Sequence, residues 1–236
     1  MEHKLERISE EEGRIIFSEK EKDFFTAEFF LTGEDEAEFK IQNIILENEL
    51  KTETIVSEKG ALKITECILE CFRLLWDEGL EEVVLVERKG TPTAKILDSA
   101  AVVTMVYSEY MMKRHIEPQM SANGSFGSLV LTKTEDGYVC GNKEKTFFCR
   151  LLSYEAEQAG EQSFYLYEVK VKKKSRNKGI ATKCLTTLFS MLSQETPLTV
   201  YLQVGSYNEP AVHLYKKLEF DISEEFGYYA PIEEQG

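Results

Sequence analysis

Tyr167-Glu168-Val169-Lys170-Val171-Lys172-Lys173-Lys174-Ser175-Arg176-Asn177-Lys178-Gly179-Ile180-Ala181 is the stretch on which the reading of this chain turns. Aromatic and β-branched residues up to Val171 read as a strand, a short basic loop follows, and a helix opens at Gly179. A helix start presents backbone N–H groups without intrahelical acceptors and the positive end of the helix dipole. Gly179 and Ala181 lack bulk, so a phosphate can come close to those donors. No Lys-Ser/Thr pair follows the glycine, and the glycines are too few for a dinucleotide turn, so neither familiar nucleotide loop is present. By itself the pattern is equally a basic surface loop capping a helix.

The next strand, Leu198 to Val204, leads to Asn208-Glu209-Pro210-Ala211-Val212-His213-Leu214-Tyr215-Lys216-Lys217-Leu218-Glu219-Phe220. Asn208 suits an N-cap, and Pro210 is tolerated in a first turn. Ala211, Leu214, Tyr215 and Leu218 then fall at i, i+3, i+4 and i+7, one face of a helix. Upstream, strands are expected at Ser128 to Lys133, Tyr138 to Gly141, Phe147 to Tyr154 and Phe164 to Val171. Helices are expected from about Ile180 to Gln194 and Glu209 to Leu218, and a last strand from Phe226 to Ile232.

The first half repeats this order. At a constant offset, Thr65 falls on Thr182, Cys67 on Cys184, Phe72 on Phe189, Leu75 on Leu192, Val83 on Val200 and Leu97 on Leu214. The shared order favours an internal duplication, with a boundary in the Pro-, Gly- and Ser-containing stretch near His115 to Gly124.

Composition narrows the function. A net charge of −14 argues against a nucleic-acid partner, and 27 of the 42 acidic residues precede position 121. The second half instead gathers Lys170, Lys172, Lys173, Lys174, Arg176 and Lys178. No apolar run approaches the ~20 residues of a membrane helix. The opening MEHKLERISEEEGR has no apolar core after its charges, so a cytoplasmic protein without a membrane partner is expected. Five scattered cysteines (Cys67, Cys71, Cys140, Cys149, Cys184) and three histidines (His3, His115, His213) show no metal-ligand spacing, so reduced structural thiols and no metal are expected.

Together, Val171-x4-Arg176-x2-Gly179-x-Ala181 and Asn208-x2-Ala211-x2-Leu214-Tyr215-x2-Leu218-x-Phe220 resemble the GNAT family of acyl-CoA-dependent N-acyltransferases. The resemblance covers roughly Ser121 to Ile232 and, more loosely, the first half. It implies an α/β (α+β) fold of two GNAT-like domains, each a mixed, mostly antiparallel splayed sheet flanked by helices. A degenerate domain without a cofactor loop would span 1–118, and an acyl-CoA-binding acyltransferase domain 121–236. Carried onto this sequence, the amides of Arg176, Asn177, Lys178, Gly179, Ile180, Ala181 and Thr182 would cradle the coenzyme A pyrophosphate. Val169 and Val171 would pair through their backbone with the pantetheine arm, Asn208 would bond that arm, and Tyr215 would sit beside the sulfur. The implied reaction moves an acetyl group from acetyl-CoA to a primary amine, in a small molecule or a peptide, by direct attack on the thioester.

Tyr215 is the expected general acid for the thiolate, against a plain core tyrosine. Glu168 is the expected base, against an ordinary exposed strand residue. The sequence departs from the family pattern at Glu219, where a glycine is usual, and more mildly at Ala181. In the first half, Thr91 stands where the second has Asn208, Asp98 where it has Tyr215, and Asn43 where it has Glu168. Val56-Ser57-Glu58-Lys59-Gly60-Ala61 lacks the arginine and the basic run. The first half therefore reads as a wall of the acceptor cleft, and its acidity suits a cationic amine. The alternative is a non-catalytic acyl-CoA-binding or protein-interaction module.

Overall fold

The computed structural model describes residues 1–44, 58–118 and 129–232. The chain divides into two compact units, Met1–Ser108 with Glu225–Gly236, and Glu109–Glu224.

In unit 1, period-two alternation produces the first strands: Ile15 and Phe17 in β2 (Glu12–Glu19), then Phe25, Ala27 and Phe29 in β3 (Lys22–Leu31), all point into the core. β1 (Glu2–Arg7), β2, β3 and β4 (Glu36–Ile44) pair antiparallel in sequence order. α1 (Glu58–Asp77) follows and buries Ile64, Cys67, Ile68, Cys71, Phe72 and Leu75, a stripe of helical period. β5 (Glu82–Arg88) then runs parallel to β4 from Glu36↔Glu82 to Phe39↔Leu85. α2 (Pro92–Ser99) is capped by Thr91, whose hydroxyl accepts from the Ala94 amide at 3.0 Å. β6 (Val103–Ile116) leaves unit 1 after Ser108.

Unit 2 has the same order. β7 (Leu129–Lys133), β8 (Gly137–Asn142), β9 (Phe147–Ser153) and β10 (Gln162–Val171) form an antiparallel series. α3 (Ile180–Leu192) buries Leu185, Leu188, Phe189 and Leu192, the stripe its sequence announced. β11 (Leu198–Gly205) is parallel to β10 from Gln162↔Leu198 to Tyr165↔Tyr201 and antiparallel to β6 from Glu109↔Gly205 to Ile116↔Leu198. α4 (Glu209–Lys217) closes the series.

Two shared irregularities support the duplication. In each unit the parallel ladder is short and its strands then part: beyond Tyr165 and Tyr201, β10 continues only with β9, and β11 only with β6. In each, the fourth strand also carries a register shift, near Gln42 in β4 and at Glu168–Val169 in β10.

The sequence placed one crossing between halves at 118–121; the chain instead crosses at Ser108/Glu109 and returns at Glu224/Glu225. The reason is strand exchange. β6 supplies the antiparallel partner of β11 in unit 2, while β12 (Asp221–Pro231) pairs Phe226–Tyr229 with β5 in unit 1. All five cysteines are free and buried, and no helix among the described residues is long and apolar enough to cross a membrane.

Candidate active site

A cleft of about 550 Å³ opens in unit 2 where β10 and β11 part. Three pieces of chain build it: the end of β10 through Val169, Lys170 and Val171, the loop and first turn of α3 from Ser175 to Thr182, and the inward face of α4.

The loop owes its shape to backbone pairing. Lys173–Ser175 form a 3₁₀ turn, with the Ser175 amide on the Lys172 carbonyl at 2.7 Å. The Arg176 side chain folds back, its Nε donating to the Val171 carbonyl at 3.1 Å. Asn177 and Gly179 take positive φ of 59° and 71°, and Gly179 is the residue that caps α3. A Cβ at Gly179 would meet nothing within 4 Å, so the space before its backbone is open. The Arg176 amide is already directed at the Lys173 carbonyl at 3.4 Å. Among the described residues, the amides from Asn177 to Thr182 have no backbone acceptor, and the α3 ladder starts with Lys183 bonding to Gly179 at 3.0 Å. The unpaired amides of Asn177, Gly179, Ile180, Ala181 and Thr182 and the positive end of a thirteen-residue helix thus lie at the wall of this cleft, in a loop rich in lysine.

Of the residues expected to hold the cofactor, Val169, Val171, Arg176, Asn177, Gly179, Ile180, Ala181, Thr182 and Asn208 all line this cleft, and Lys178 does not. Asn208 caps α4 as well: its Oδ1 accepts from the Ala211 amide at 3.4 Å, leaving the side-chain NH₂ as a donor. Pro210, Ala211, Leu214 and Lys217 join them at helical spacing on α4, a lining that follows from the amphipathic face once its partner is known to be a cleft.

Tyr215 also lines the cleft, although it is only 7% exposed. Its ring meets Phe220 edge-on at 5.7 Å, and its hydroxyl has no hydrogen bond among the described residues. Burial, with smaller contributions from Cys149 and Tyr165, pushes the phenol up to about 12, so it keeps its proton at neutral pH. Both the core ring and the available donor anticipated for this residue are present.

Glu168, the expected base, does not join them. It occupies the β10 bulge at φ 51° and does not line the cleft. Its two carboxylate oxygens are held by Arg150 Nε at 2.8 Å and Lys170 Nζ at 2.7 Å. The Lys170 hydrogen bond, and then its charge and that of Arg150, hold the carboxyl below its ordinary range. A base doubly ion-paired and turned from the cleft is poorly placed to accept a proton there. The bulge itself is informative, because it leaves backbone groups of the splayed strand without ladder partners.

In unit 1 the counterparts differ as expected in residue type. Thr91 caps α2, and Asp98 accepts a hydrogen bond from the Tyr229 hydroxyl at 2.8 Å. Of the segment opposite the basic loop, Val56 and Ser57 lie outside the described residues. Among the described residues there is no group of three or more His, Cys, Asp or Glu arranged to hold a metal.

Residues 105–220 match the model of the acetyltransferase (GNAT) family. The match begins inside β6, in keeping with that strand's place in unit 2. This stretch is thus a GNAT acetyltransferase domain, which makes the protein an acyltransferase. Solved structures share the fold along nearly the whole chain. A GCN5-related N-acetyltransferase from Sphaerobacter thermophilus is 11% identical at a TM-score of 0.62, covering 97% of this chain and 82% of that one. A tandem GNAT protein from the clavulanic acid biosynthesis pathway is 8% identical at 0.55, covering 95% and 84%. A GCN5-related N-acetyltransferase from Kribbella flavida is 11% identical at 0.51, covering 88% and 87%. At such identities the likeness establishes the fold, here two GNAT-like units in tandem. No curated protein matches the sequence.

Proposed function

We propose that the unit 2 cleft holds acetyl-CoA and transfers its acetyl group to a primary amine by direct attack on the thioester. The observation that carries this reading is the convergence, on one cleft, of the Asn177–Thr182 donors, the freed edge of β10 and the protonated Tyr215. The donors suit a pyrophosphate, and the β10 backbone at Val169 and Val171 suits the amides of a pantetheine arm.

The acceptor attacks as the neutral amine, its ammonium proton having gone to water. Its nitrogen lone pair adds to the thioester carbonyl, and negative charge develops on the oxygen, where backbone donors of the splayed strands can meet it. Collapse breaks the C–S bond, and the thiolate takes its proton from the Tyr215 hydroxyl. The proton released by the product nitrogen restores the phenol. Holding both reactants in one cleft supplies the entropic part of the acceleration. Glu168 is left out of this scheme.

Unit 1 serves as a degenerate partner that binds no cofactor, with Asp98 engaged by Tyr229 where Tyr215 would be. The acidic bias of the first 120 residues favours a cationic acceptor, whether a small amine or a peptide. Five free thiols suit a reducing cytoplasm. The test is release of free coenzyme A from acetyl-CoA across a panel of cationic and neutral amines. Tight coenzyme A binding without release for any amine would instead favour a binding module.

A further inference from the structure

Strand alternation gives the unit 2 sheet a second face. Phe164 of β10, Val200 and Leu202 of β11 and Met112 of β6 enter the core with α3. Tyr165, Tyr201 and Lys113, one place along each strand, therefore turn the other way. These three are cross-strand neighbours: Tyr165 pairs with Tyr201, and Tyr201 with Lys113. Tyr165↔Tyr201 is also the last rung before β10 and β11 part, so the row lies at the fork that opens the cleft.

An aromatic seat is built on this row. Past β9, Tyr154 keeps the pairing with β10 through its amide, on the Ser163 carbonyl at 2.9 Å. Its exposed ring is centred 5.0 Å from that of Tyr201 and 6.2 Å from that of Tyr165. Glu157 accepts from the Tyr201 hydroxyl through one oxygen and pairs with the Lys113 ammonium at 2.5 Å through the other. Lys113 Nζ thereby stands 5.4 Å from the centre of the Tyr201 ring. Ring and carboxylate both attract an ammonium. The Glu157 hydrogen bond raises the Lys113 pKa, and those of Lys113 and then Tyr201 lower that of Glu157, so both groups are charged at neutral pH. Around the row the charge is negative. Glu109 accepts from the Gln203 side-chain amide and Glu161 from the Thr199 hydroxyl, with His115 Nδ1 3.0 Å from the same Glu161 oxygen. Glu109, Glu157 and Glu161 outnumber Lys113 and His115 whichever form the imidazole takes.

We propose that this row seats an alkylammonium group of the acceptor that does not itself react, and that the acceptor is therefore a diamine. The inference rests on the acetyl-transfer reading of the cleft. Lys113 displays the chemistry that the seat takes, because its own side chain is an alkylammonium on a four-carbon stem. It is also a displaceable occupant: the Lys113 side chain is 31% exposed and that of Glu157 57%, and exposed pairs hold weakly. An incoming diamine takes its place on Tyr201 and Glu157, beside the fork, and its second amine extends toward the thioester. Tethering the acceptor by its far end lowers the entropic cost of attack.

The experiment has two arms, both on the full chain. In the first, butylammonium is titrated by NMR with no cofactor present. Lys113→Met keeps the stem's bulk and vacates the seat, so it should bind butylammonium about threefold more tightly than the parent or better. Adding Glu157→Gln should abolish that gain. In the second arm, coenzyme A release from acetyl-CoA is compared between α,ω-diamines, from diaminopropane to diaminooctane, and monoamines of matching length. At least one diamine should exceed its monoamine about tenfold in kcat/KM, and Glu157→Gln should narrow the ratio through the diamine's KM with kcat kept. A purely structural ion pair predicts neither the gain nor the KM effect. No gain in Lys113→Met, or a ratio that Glu157→Gln leaves untouched, would overturn the seat, while release with monoamines keeps the cleft assignment standing. Absence of release with every amine would overturn the transfer reading, and the first arm would still decide the seat.

Discussion

Replacing Tyr215 by phenylalanine removes one oxygen and keeps the ring, so the edge contact with Phe220 at 5.7 Å survives. The hydroxyl has no partner among the described residues, and its loss breaks no hydrogen bond; the variant should melt at or slightly above the parent's temperature. Acetyl-CoA affinity, measured by calorimetry, should stay within about threefold. Turnover should fall by roughly 10²–10⁴-fold, equivalent to about 2.7–5.4 kcal/mol of transition-state stabilisation. A loss in kcat with unchanged binding places the hydroxyl in the transition state. The phenol's displacement to about 12 gives a second signature. An unfolded tyrosine ionises near 10. Below that pH both states are protonated and the displacement has no effect on stability. Between about 10 and 12 the unfolded chain loses the proton first, and the parent loses up to about 3 kcal/mol relative to the variant. Denaturant melts at pH 8 and 11 measure this directly. Parent-like turnover by Tyr215→Phe would refute the proton-donor role outright.

Gly179→Ala places a side chain at φ 71°, so it should cost about 1 kcal/mol in thermal stability, and Gly179→Glu should abolish acetyl-CoA binding by charge repulsion; retained binding in the glutamate variant would remove the pyrophosphate from this turn. Calorimetry on the intact chain should give one acetyl-CoA per chain, and a value near two would restore unit 1 as a cofactor site. Glu168→Gln breaks two exposed ion pairs, which contribute little to stability, and should leave kcat/KM within about threefold; a hundredfold loss would return the base role to this carboxylate.

The loop and helix caps that line the unit 2 cleft were legible because their information is local. Gly179, the basic loop and the Asn208 cap each declare a backbone feature within a few residues of themselves, and the structure brings them to one cleft. Glu168 misled for the opposite reason. Its fate depends on Arg150, which faces it only through the β9–β10 ladder and its bulge, and a lone strand gives no sign of that neighbour. The unit boundary failed similarly. Pro- and Gly-containing turns near residue 120 look like a linker, yet β6 already belongs to unit 2 by then, because its partner β11 lies some eighty positions downstream.

The passage of β12 back into unit 1 bears on how the molecule is made. A ribosome delivers β1 to β5, α1 and α2 before unit 2, but the strand that pairs with Leu85–Arg88 is Phe226–Tyr229, which emerges only after unit 2's own strands. Until it emerges, β5 has an open edge, and the nascent chain must carry that edge through the synthesis of all of unit 2. Unit 2, by contrast, receives its borrowed strand, Glu109–Ile116, before any of its own. The half that begins first is thus completed last, and ribosome-bound chains stopped short of Phe226 should show unit 1 protease-sensitive at β5 while unit 2 is already resistant.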